Sequence, residues 1–528
     1  MVDIEDTAWR FPLIPSGRIL GRIGRSASTV AHGLRTVPRP EHLVALGLLA
    51  AGLFLRLHYA AFLDPFEDGY QNWWISANLV TTGEYWDRHS MMTQGSWLPI
   101  YHFLGAGVLG VAGVWNFSAL KGANLLLSSA TGVLVYVLGR RSGTAVGLAA
   151  LSFFTLNFVD VVVSGWATAE SLTGFLVLLG YSCLFAFDAA RPRNRAIAAA
   201  AFLLAAMTRY EAWVVVALAA AFLAMRRPAW GSRRSALLVL APAAAFMAAY
   251  TVYASQWGFL PALVVQQTST DVRYQLSVGT QIAAGEALFR WWAGYIGYFP
   301  IVLVAGAAVV VRRAREDLGA WIVLTLWGFI FMYTALRFGN PSYRYVMITI
   351  PFLSLYGAEG LAALGRRLGR ARSPTLRGRP VLVPAAIAAT VVLASATMLP
   401  SAASFWERGF PSSEAMEPLV RAGRFLSTLP LPEGKILVSE SSIAAYHSGY
   451  PPDRILGARW LPQDRGAALA FLEGRAAYVV YIGVPYYALR TLFPELEAGT
   501  GTADFELVYD ARGAASGTHA VFVYRVVP

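Results

Sequence analysis

The sequence predicts a polytopic α-helical membrane protein, with about eleven transmembrane helices and a C-terminal extracytoplasmic α/β domain. Three observations support this fold class. Hydrophobic residues make up 56% of the 528 positions and charged residues only 14%, too little charge to cover a soluble protein of this size. Apolar runs recur along residues 42–400. Beyond residue 400 the chain is more polar, and short strand-like runs alternate with helical stretches.

Twelve apolar segments are candidates for spanning helices. They are 42–63, 97–115, 118–139, 143–160, 169–188, 196–208, 211–226, 235–255, 292–311, 319–337, 343–362 and 381–399. Positive charge in short loops stays cytoplasmic, so the arginines test which segments cross. If all twelve cross, Arg140 and every later basic cluster fall on the opposite side from the basic leader, 1–41. If 97–115 does not cross, all clusters share one side.

We therefore interpret 97–115 as a juxtamembrane helix on the outer face. The N-terminus, residues 1–41, is then cytoplasmic, and the transmembrane module covers 42–400. This module has outer loops at 64–117 and 256–291. The domain 401–528 lies outside, and we expect the bacterial plasma membrane as the location. The alternative, that 97–115 spans and another segment does not, stays open.

Several other protein classes are excluded or weakened by the composition. The net charge of +12 does not indicate nucleic-acid binding, because the arginines cluster between apolar runs. Cys183 is the only cysteine, so a disulfide framework is excluded. The glycine pattern at 105–110 matches a dinucleotide fingerprint, but no strand precedes it, so we assign it to helix packing.

The first outer loop opens with an acidic motif, Asp64-Pro-Phe-Glu67-Asp68. Carboxylates at a helix end near a membrane are usually only solvated. Here the following stretch, 70–86, is aromatic-rich and amphipathic, like a helix that lies in the membrane interface. An acid held above an apolar cavity can serve as a general base, because desolvation raises its pKa. Asp68 is therefore a candidate base.

Glu170 begins an otherwise apolar segment. An ionisable residue in such a place is expensive unless it is paired, so Glu170 is a functional candidate. The alternative is that it is only a favourable acid in the first turn of a helix.

Three arginines break the positive-inside rule. Arg209 lies at an outer reversal between 196–208 and 211–226, and Arg337 and Arg344 lie at a second one. Guanidinium groups bind phosphate in a bidentate manner, so these residues could hold a lipid phosphate. The alternative for Arg209 is that the neighbouring Glu211, or another acid, only neutralises it.

This layout resembles the GT-C glycosyltransferases, in particular the bacterial branch of lipid A aminoarabinose transferases, which are relatives of the protein O-mannosyltransferases. The resemblance rests on the acidic first loop, the acid at 170, Met207-Thr208-Arg209, and the later Arg-Tyr motif at 344–345. In that family a first-loop aspartate stands about fifteen residues before a Gly-(Asp/Glu) pair. Asp68 stands at that distance from Gly83-Glu84.

The resemblance implies a GT-C fold and an inverting transfer of a sugar from a polyprenyl-phosphate donor to an acceptor hydroxyl. Asp68 would be the general base and Glu170 the second catalytic acid. The implied substrate-binding residues are Glu67, Arg209, Arg337, Tyr343, Arg344 and Tyr345. A divalent cation, Mg²⁺ or Mn²⁺, at Asp68 and Glu170 is an open alternative, since some members use one and others do not.

The acceptor is not specified by the sequence and can be a lipid, a glycan or a protein. The aminoarabinose enzymes have a lysine before the proline of their juxtamembrane helix, whereas Leu98 precedes Pro99 here, which argues against lipid A. Two rival functions remain: a polymerase or ligase of lipid-linked saccharides, and a flippase or transporter. A transporter predicts charged residues in mid-span and pseudo-symmetric halves, neither of which we identify in the sequence.

Overall fold

The computed structural model describes residues 40–64, 67–83, 85, 98–187, 190–226, 233–255, 300–335, 343–371, 416–483, 488–511 and 520–527. The leader, the outer loop 256–291 and the segment 381–399 therefore lie outside the described residues. The described part consists of a helical bundle followed by an α/β domain.

The bundle contains thirteen α-helices within the described ranges. They are α1 (Pro40–Ala60), α2 (Asp68–Thr82), α3 (Ile100–Ala112), α4 (Phe117–Arg140), α5 (Thr144–Thr155), α6 (Phe158–Val163), α7 (Glu170–Tyr181), α8 (Pro192–Ala206), α9 (Tyr210–Met225), α10 (Arg233–Ser255), α11 (Pro300–Arg313), α12 (Leu318–Ala335) and α13 (Ile350–Ala371). A π-helical turn, Ser182–Ala186, extends α7, and a 3₁₀ segment, Tyr343–Thr349, leads into α13.

Three helices of the described chain are long and apolar enough to cross a membrane: Pro40–Ala60, Phe117–Arg140 and Met347–Arg366. Shorter apolar helices accompany them. They are Ile100–Ala112, Thr144–Thr155, Glu170–Ala186, Tyr210–Met225, Leu237–Tyr253 and Leu318–Gly328. These helices indicate an integral membrane protein, while the number of eleven spans stays a prediction.

The segment 97–115 contains a helix of only 13 residues, α3. At 1.5 Å per residue it rises about 20 Å, short of the roughly 30 Å of a hydrocarbon core. Gly113, with φ of 100°, ends it. Its placement in the outer interface stays a prediction, and its length is compatible with that placement.

Polar contacts gather predicted cytoplasmic residues at one end of the bundle. Arg140, at the end of α4, lies 3.0 Å from the His42 ring at the start of α1. Arg313, at the end of α11, forms a 2.9 Å ion pair with Glu359. The starts of α2, α7 and α13 meet at a separate site, described below. Which end faces the cytoplasm stays a prediction.

The C-terminal domain is built on a five-stranded sheet with the order β2-β1-β3-β5-β4. Its strands are β1 (Ile436–Ser439), β2 (Ile455–Gly457), β3 (Ala476–Ile482), β4 (Phe505–Asp510) and β5 (Val521–Val526). β1 runs parallel to β2 and β3, whereas β5 is antiparallel to β3 and β4. The predicted strand runs at 435–439, 477–482 and 520–524 are confirmed as β1, β3 and β5.

Four helices accompany the sheet: α14 (Glu417–Leu426), α15 (Ser442–Ser448), α16 (Arg465–Arg475) and α17 (Ala488–Leu492). α14 and α16 confirm the helical stretches predicted at 412–427 and 463–474.

The aromatic helix α2 differs from its prediction. The sequence pattern predicts a helix lying in the membrane interface, but Trp73 and Trp74 are fully buried. They belong to the same apolar cluster as Ile443 and Val480 of the C-terminal domain. The aromatic side chains therefore form a contact between the two parts of the protein, because a large aromatic surface can be buried by protein as well as by lipid.

Candidate active site

Charged residues that are far apart in the sequence converge at the starts of three helical segments. Asp68 is the first residue of α2, Glu170 is the first residue of α7, and Arg344 lies in the 3₁₀ segment before α13. Carboxylates are favoured at helix N-termini, where unsatisfied N–H groups concentrate partial positive charge. The first position of a helix is therefore a favourable place for Asp68 and for Glu170.

Arg344 bridges the two acids. Its Nη1 donates a hydrogen bond to Asp68 Oδ2, and its Nε lies 3.7 Å from Glu170 Oε1. The Glu170 side chain is 1% exposed, whereas Asp68 is 24% exposed. Asp68 is thus the acid that a substrate can reach, and Glu170 is the buried one.

Arg209 extends the cluster at the reversal between α8 and α9. Its Nη1 lies 2.7 Å from Glu170 Oε1, and its Nη2 lies 2.7 Å from Glu211 Oε1. Glu211 and Glu170 therefore both neutralise Arg209, and Glu170 also ties it to the site, while its binding of a lipid phosphate stays a prediction. The three carboxylates and two guanidinium groups (−3 and +2) leave a formal charge of −1.

The spacing between Asp68 and Gly83 has a structural explanation. The 15 residues from Asp68 to Thr82 form α2, and Gly83 ends it with φ of 73°. Its N–H donates to Leu79 O at 3.1 Å. A left-handed residue after a helix favours glycine, because an L side chain is strained there. The distance of fifteen residues between Asp68 and Gly83, on which the resemblance partly rests, is therefore the length of α2.

Asp64 and Lys121 anchor the acidic loop, and the sequence analysis did not assign them a role. Lys121 Nζ lies 2.7 Å from Asp64 Oδ1 and donates to Ala60 O at 3.1 Å and Phe62 O at 2.8 Å. Asp64 Oδ2 accepts a hydrogen bond from Ala167 N at 3.1 Å. This pair fixes the end of α1 to α4 and to the segment before Glu170. A lysine near the start of an apolar run was the available signal.

Gly69 is required by this arrangement. A Cβ at Gly69 would collide with Asp64 Oδ2 and would lie 3.3 Å from the Phe117 ring. The absence of a side chain at position 69 lets the Asp64 carboxylate pack against the first turn of α2.

A second buried pair was also missed. Arg56, inside α1, donates a hydrogen bond to Asp160 Oδ2 and another to Ser128 Oγ at 3.0 Å. Ser128 Oγ in turn donates to Asp160 Oδ2 at 2.8 Å. A charge within a predicted span thus exists, contrary to the pattern identified in the sequence. It is paired within the bundle one turn before the end of α1.

Of the other predicted substrate-binding residues, only Glu67 has a described side chain, and it lies outside this cluster. Glu67 directs its carboxylate to Ser442 of the C-terminal domain, with 3.4 Å between Glu67 Oε2 and Ser442 N. Arg337 lies outside the described residues, as do the side chains of Tyr343 and Tyr345.

The cation prediction has a geometric difficulty. Arg344 occupies the position between Asp68 and Glu170 that a bridging cation would take. Across the described ranges no group of three or more His, Cys, Asp or Glu side chains is placed to hold a metal ion. A metal held by Asp68 and Glu170 would have to displace the guanidinium group of Arg344.

Comparison with known proteins gives structural matches only. No protein-family model and no curated protein sequence matches the chain. Two crystal structures of ArnT from Cupriavidus metallidurans, one in the apo state and one bound to undecaprenyl phosphate, are similar to it. Each has a TM-score of 0.55 and 13% identity, and covers 91% of this chain and 97% of its own.

The oligosaccharyltransferase of Archaeoglobus fulgidus also aligns, over 92% of this chain and 74% of its own, with 14% identity and a TM-score of 0.49. At 13% identity, the likeness to the ArnT structures concerns the fold. The chain therefore shares the fold of the ArnT structures, which agrees with the resemblance of its sequence to the GT-C glycosyltransferases.

Proposed function

We propose that this protein is a membrane glycosyltransferase that moves a sugar from a polyprenyl-phosphate donor to an acceptor hydroxyl. The observation that carries the proposal is the cluster of Asp68, Arg344, Glu170 and Arg209 at one end of a GT-C bundle. It combines a partly exposed carboxylate with two guanidinium groups. These are the groups needed to accept a proton and to stabilise a leaving phosphate.

The proposed reaction is a single inverting displacement. The acceptor hydroxyl gives its proton to Asp68 while its oxygen bonds to the anomeric carbon. The bond from that carbon to the phosphate oxygen breaks, and the electron pair leaves with the polyprenyl phosphate. The transition state resembles the oxocarbenium ion of glycoside hydrolysis. A phosphate leaving group departs without protonation if nearby cations compensate its negative charge. One base is therefore sufficient for the reaction.

Arg209 and Arg344 are assigned to the leaving phosphate. Preorganised charge at the site where negative charge develops contributes about 10²–10³ in rate. In the structure both guanidinium groups bind carboxylates. A phosphate that drew Arg344 away from Asp68 would also free that carboxylate to act as the base. Donor binding and activation of Asp68 are coupled in this scheme.

The nature of the donor is supported by the fold. ArnT from Cupriavidus metallidurans binds undecaprenyl phosphate in one of the similar structures. A lipid donor also agrees with a chain in which the sequence identifies no nucleotide-binding domain. We propose the extracytoplasmic face of the bacterial plasma membrane as the site of reaction, with a lipid, glycan or protein acceptor.

Incubation of the purified protein with a panel of radiolabelled polyprenyl-phosphate sugars tests the proposal. We expect Asp68→Asn to fold and to bind donor lipid but to lose transfer. The matched control is Asp453→Asn, at an exposed aspartate of the C-terminal domain, which should transfer normally. Transfer by the Asp68 variant at a rate close to that of the wild type would remove Asp68 from the mechanism.

A further inference from the structure

The residue before Asp68 makes a contact between the two parts of the protein. Glu67 precedes α2, but its carboxylate makes no hydrogen bond to the N-terminus of its own helix. Instead, Glu67 Oε2 accepts a hydrogen bond from Ser442 N at 3.4 Å, and Glu67 O accepts one from Ser442 Oγ at 3.2 Å. Ser442 is the first residue of α15 and is fully buried. An N–H at a helix start that lacks an intrahelical partner is thereby satisfied across the interface.

Aromatic side chains make further contacts between the helical bundle and the C-terminal domain. The rings of Trp73 and Tyr446 meet edge to face, with 4.8 Å between centroids. Tyr446 Oη donates to Trp115 O at 2.9 Å, and Trp74 Nε1 donates to Pro452 O at 3.4 Å. These contacts seat α2 against the C-terminal domain. They lie along the body of the helix, whereas Glu67 is the contact at its first turn.

The first turn of α2 carries Asp68. Gln71 N donates to Glu67 O at 2.9 Å, so the Glu67 carbonyl receives bonds both from its own helix and from Ser442. A shift of this peptide moves Asp68 relative to Arg344, because a single peptide unit joins Glu67 to Asp68. Misplacement by about 1 Å can cost on the order of 10²-fold in catalysis.

We propose that Glu67 is a positioning residue through which the C-terminal domain sets the orientation of Asp68. The inference rests on the proposed function, because it assigns Asp68 to the chemistry. It replaces the predicted role of Glu67 as a substrate ligand. The domain then contributes to catalysis without contacting the reacting atoms.

The glutamine variant is a suitable conservative substitution at this position. Burial raises the pKa of the Glu67 carboxyl to about 7, so a neutral side chain there resembles a form that the protein already populates near neutral pH. The amide oxygen of the introduced glutamine can still accept from Ser442 N. Alanine removes the acceptor altogether.

The test uses the full-length protein and the radiolabelled polyprenyl-phosphate sugar that the wild type transfers. The variants are Glu67→Ala, Glu67→Gln, Ser442→Ala and the double alanine variant. We expect Glu67→Ala to lower kcat about tenfold or more with an unchanged KM for the donor. Glu67→Gln should restore most of kcat. Glu67→Ala removes the acceptor of Ser442 N, and Ser442→Ala removes the donor to Glu67 O, so each alanine alone should lower kcat and the double variant should be no more active than Glu67→Ala.

Ser448→Ala is the matched control. Ser448 is a buried serine at the other end of α15, and its hydroxyl donates only within that helix, to Ala445 O at 2.7 Å. It should retain the wild-type kcat. A wild-type kcat in Glu67→Ala would overturn the inference. A raised donor KM with unchanged kcat would also overturn it and would favour direct substrate contact.

Amide hydrogen exchange separates this inference from the proposed function, because it needs no activity. Glu67→Ala should speed exchange in the first turn of α2, residues 68–72, relative to the wild type and Ser448→Ala. Unchanged exchange would refute the positioning contact even if Asp68→Asn is inactive. Faster exchange in a protein that transfers no lipid-linked sugar would support the contact and count against the proposed function alone.

Discussion

Replacement of Lys121 by methionine removes the cation that anchors the acidic loop. The Lys121 and Asp64 side chains are only 8% and 2% exposed, so their ion pair is shielded from solvent. Methionine keeps much of the volume and the unbranched shape but leaves the Asp64 carboxylate without its counter-charge. It also leaves Ala60 O and Phe62 O without their donor.

The expected cost follows from this burial. Removal of one partner of a buried ion pair costs about 3–5 kcal/mol, because the other charge stays buried and uncompensated. The double variant Asp64→Asn/Lys121→Met removes the stranded charge and retains only the penalty for unsatisfied polar groups, about 1–3 kcal/mol. The double variant should therefore be more stable than Lys121→Met by roughly 2 kcal/mol.

The loss should depend on pH. Burial raises the pKa of the Asp64 carboxyl, and the charge on Lys121 opposes that rise. Without the lysine the pKa of Asp64 rises further in the folded state. In the unfolded state the pKa of Asp64 stays at about 3.9. A protonated Asp64 needs no counter-charge. The destabilisation should be smallest below the unfolded pKa and should grow as pH rises through the folded pKa.

Equilibrium unfolding of the purified protein in detergent, followed by circular dichroism at several pH values, measures this cost. Lys121→Met, Asp64→Asn, the double variant and the wild type form one double-variant cycle. Two results would refute the reasoning: a Lys121→Met protein within about 1 kcal/mol of the wild type at neutral pH, or a double variant as unstable as the sum of the single ones.

Three further predictions concern the site. Gly69→Ala places a Cβ against the Asp64 carboxylate, so transfer should fall about tenfold or more. Gly107→Ala, in open space on α3, is the control and should transfer normally. Equal activities of the two variants would contradict this prediction. Arg209→Ala should raise the KM for the donor more than that for the acceptor. Glu211→Gln keeps the guanidinium group and its contact with Glu170, so it should change the donor KM little. An unchanged donor KM in Arg209→Ala would remove that residue from donor binding. Chelation with EDTA should leave transfer intact if Arg344 occupies the bridging position, and loss of activity that Mg²⁺ or Mn²⁺ restores would require a cation at the site.

The sequence by itself determined the membrane character and the positions of most helices. An apolar run indicates a helix in contact with lipid or with a helical core. The length and hydrophobicity of such a run can be measured within each segment, without knowledge of the rest of the fold. The positive-inside rule likewise distinguished Arg140, in a predicted cytoplasmic cluster, from Arg344, at a predicted outer reversal. The continuous β-branched and aromatic runs at 477–482 and 520–524 were sufficient to place β3 and β5. The edge strand β2 is only three residues long, which is too short for a strand-like run of residues to be recognised in the sequence.

Only the tertiary structure decided which charges meet. Asp160 pairs with Arg56 across 104 positions, and Glu67 contacts Ser442 across 375. Periodicity cannot specify such pairs, because they depend on which helix ends the packing brings together. The same reason explains α2: its aromatic face has the composition of an interfacial helix, and only the docked C-terminal domain shows that protein covers it. Asp68 could be identified from the sequence as an acid in a predicted outer loop, but the groups that hold it in place come from distant parts of the chain.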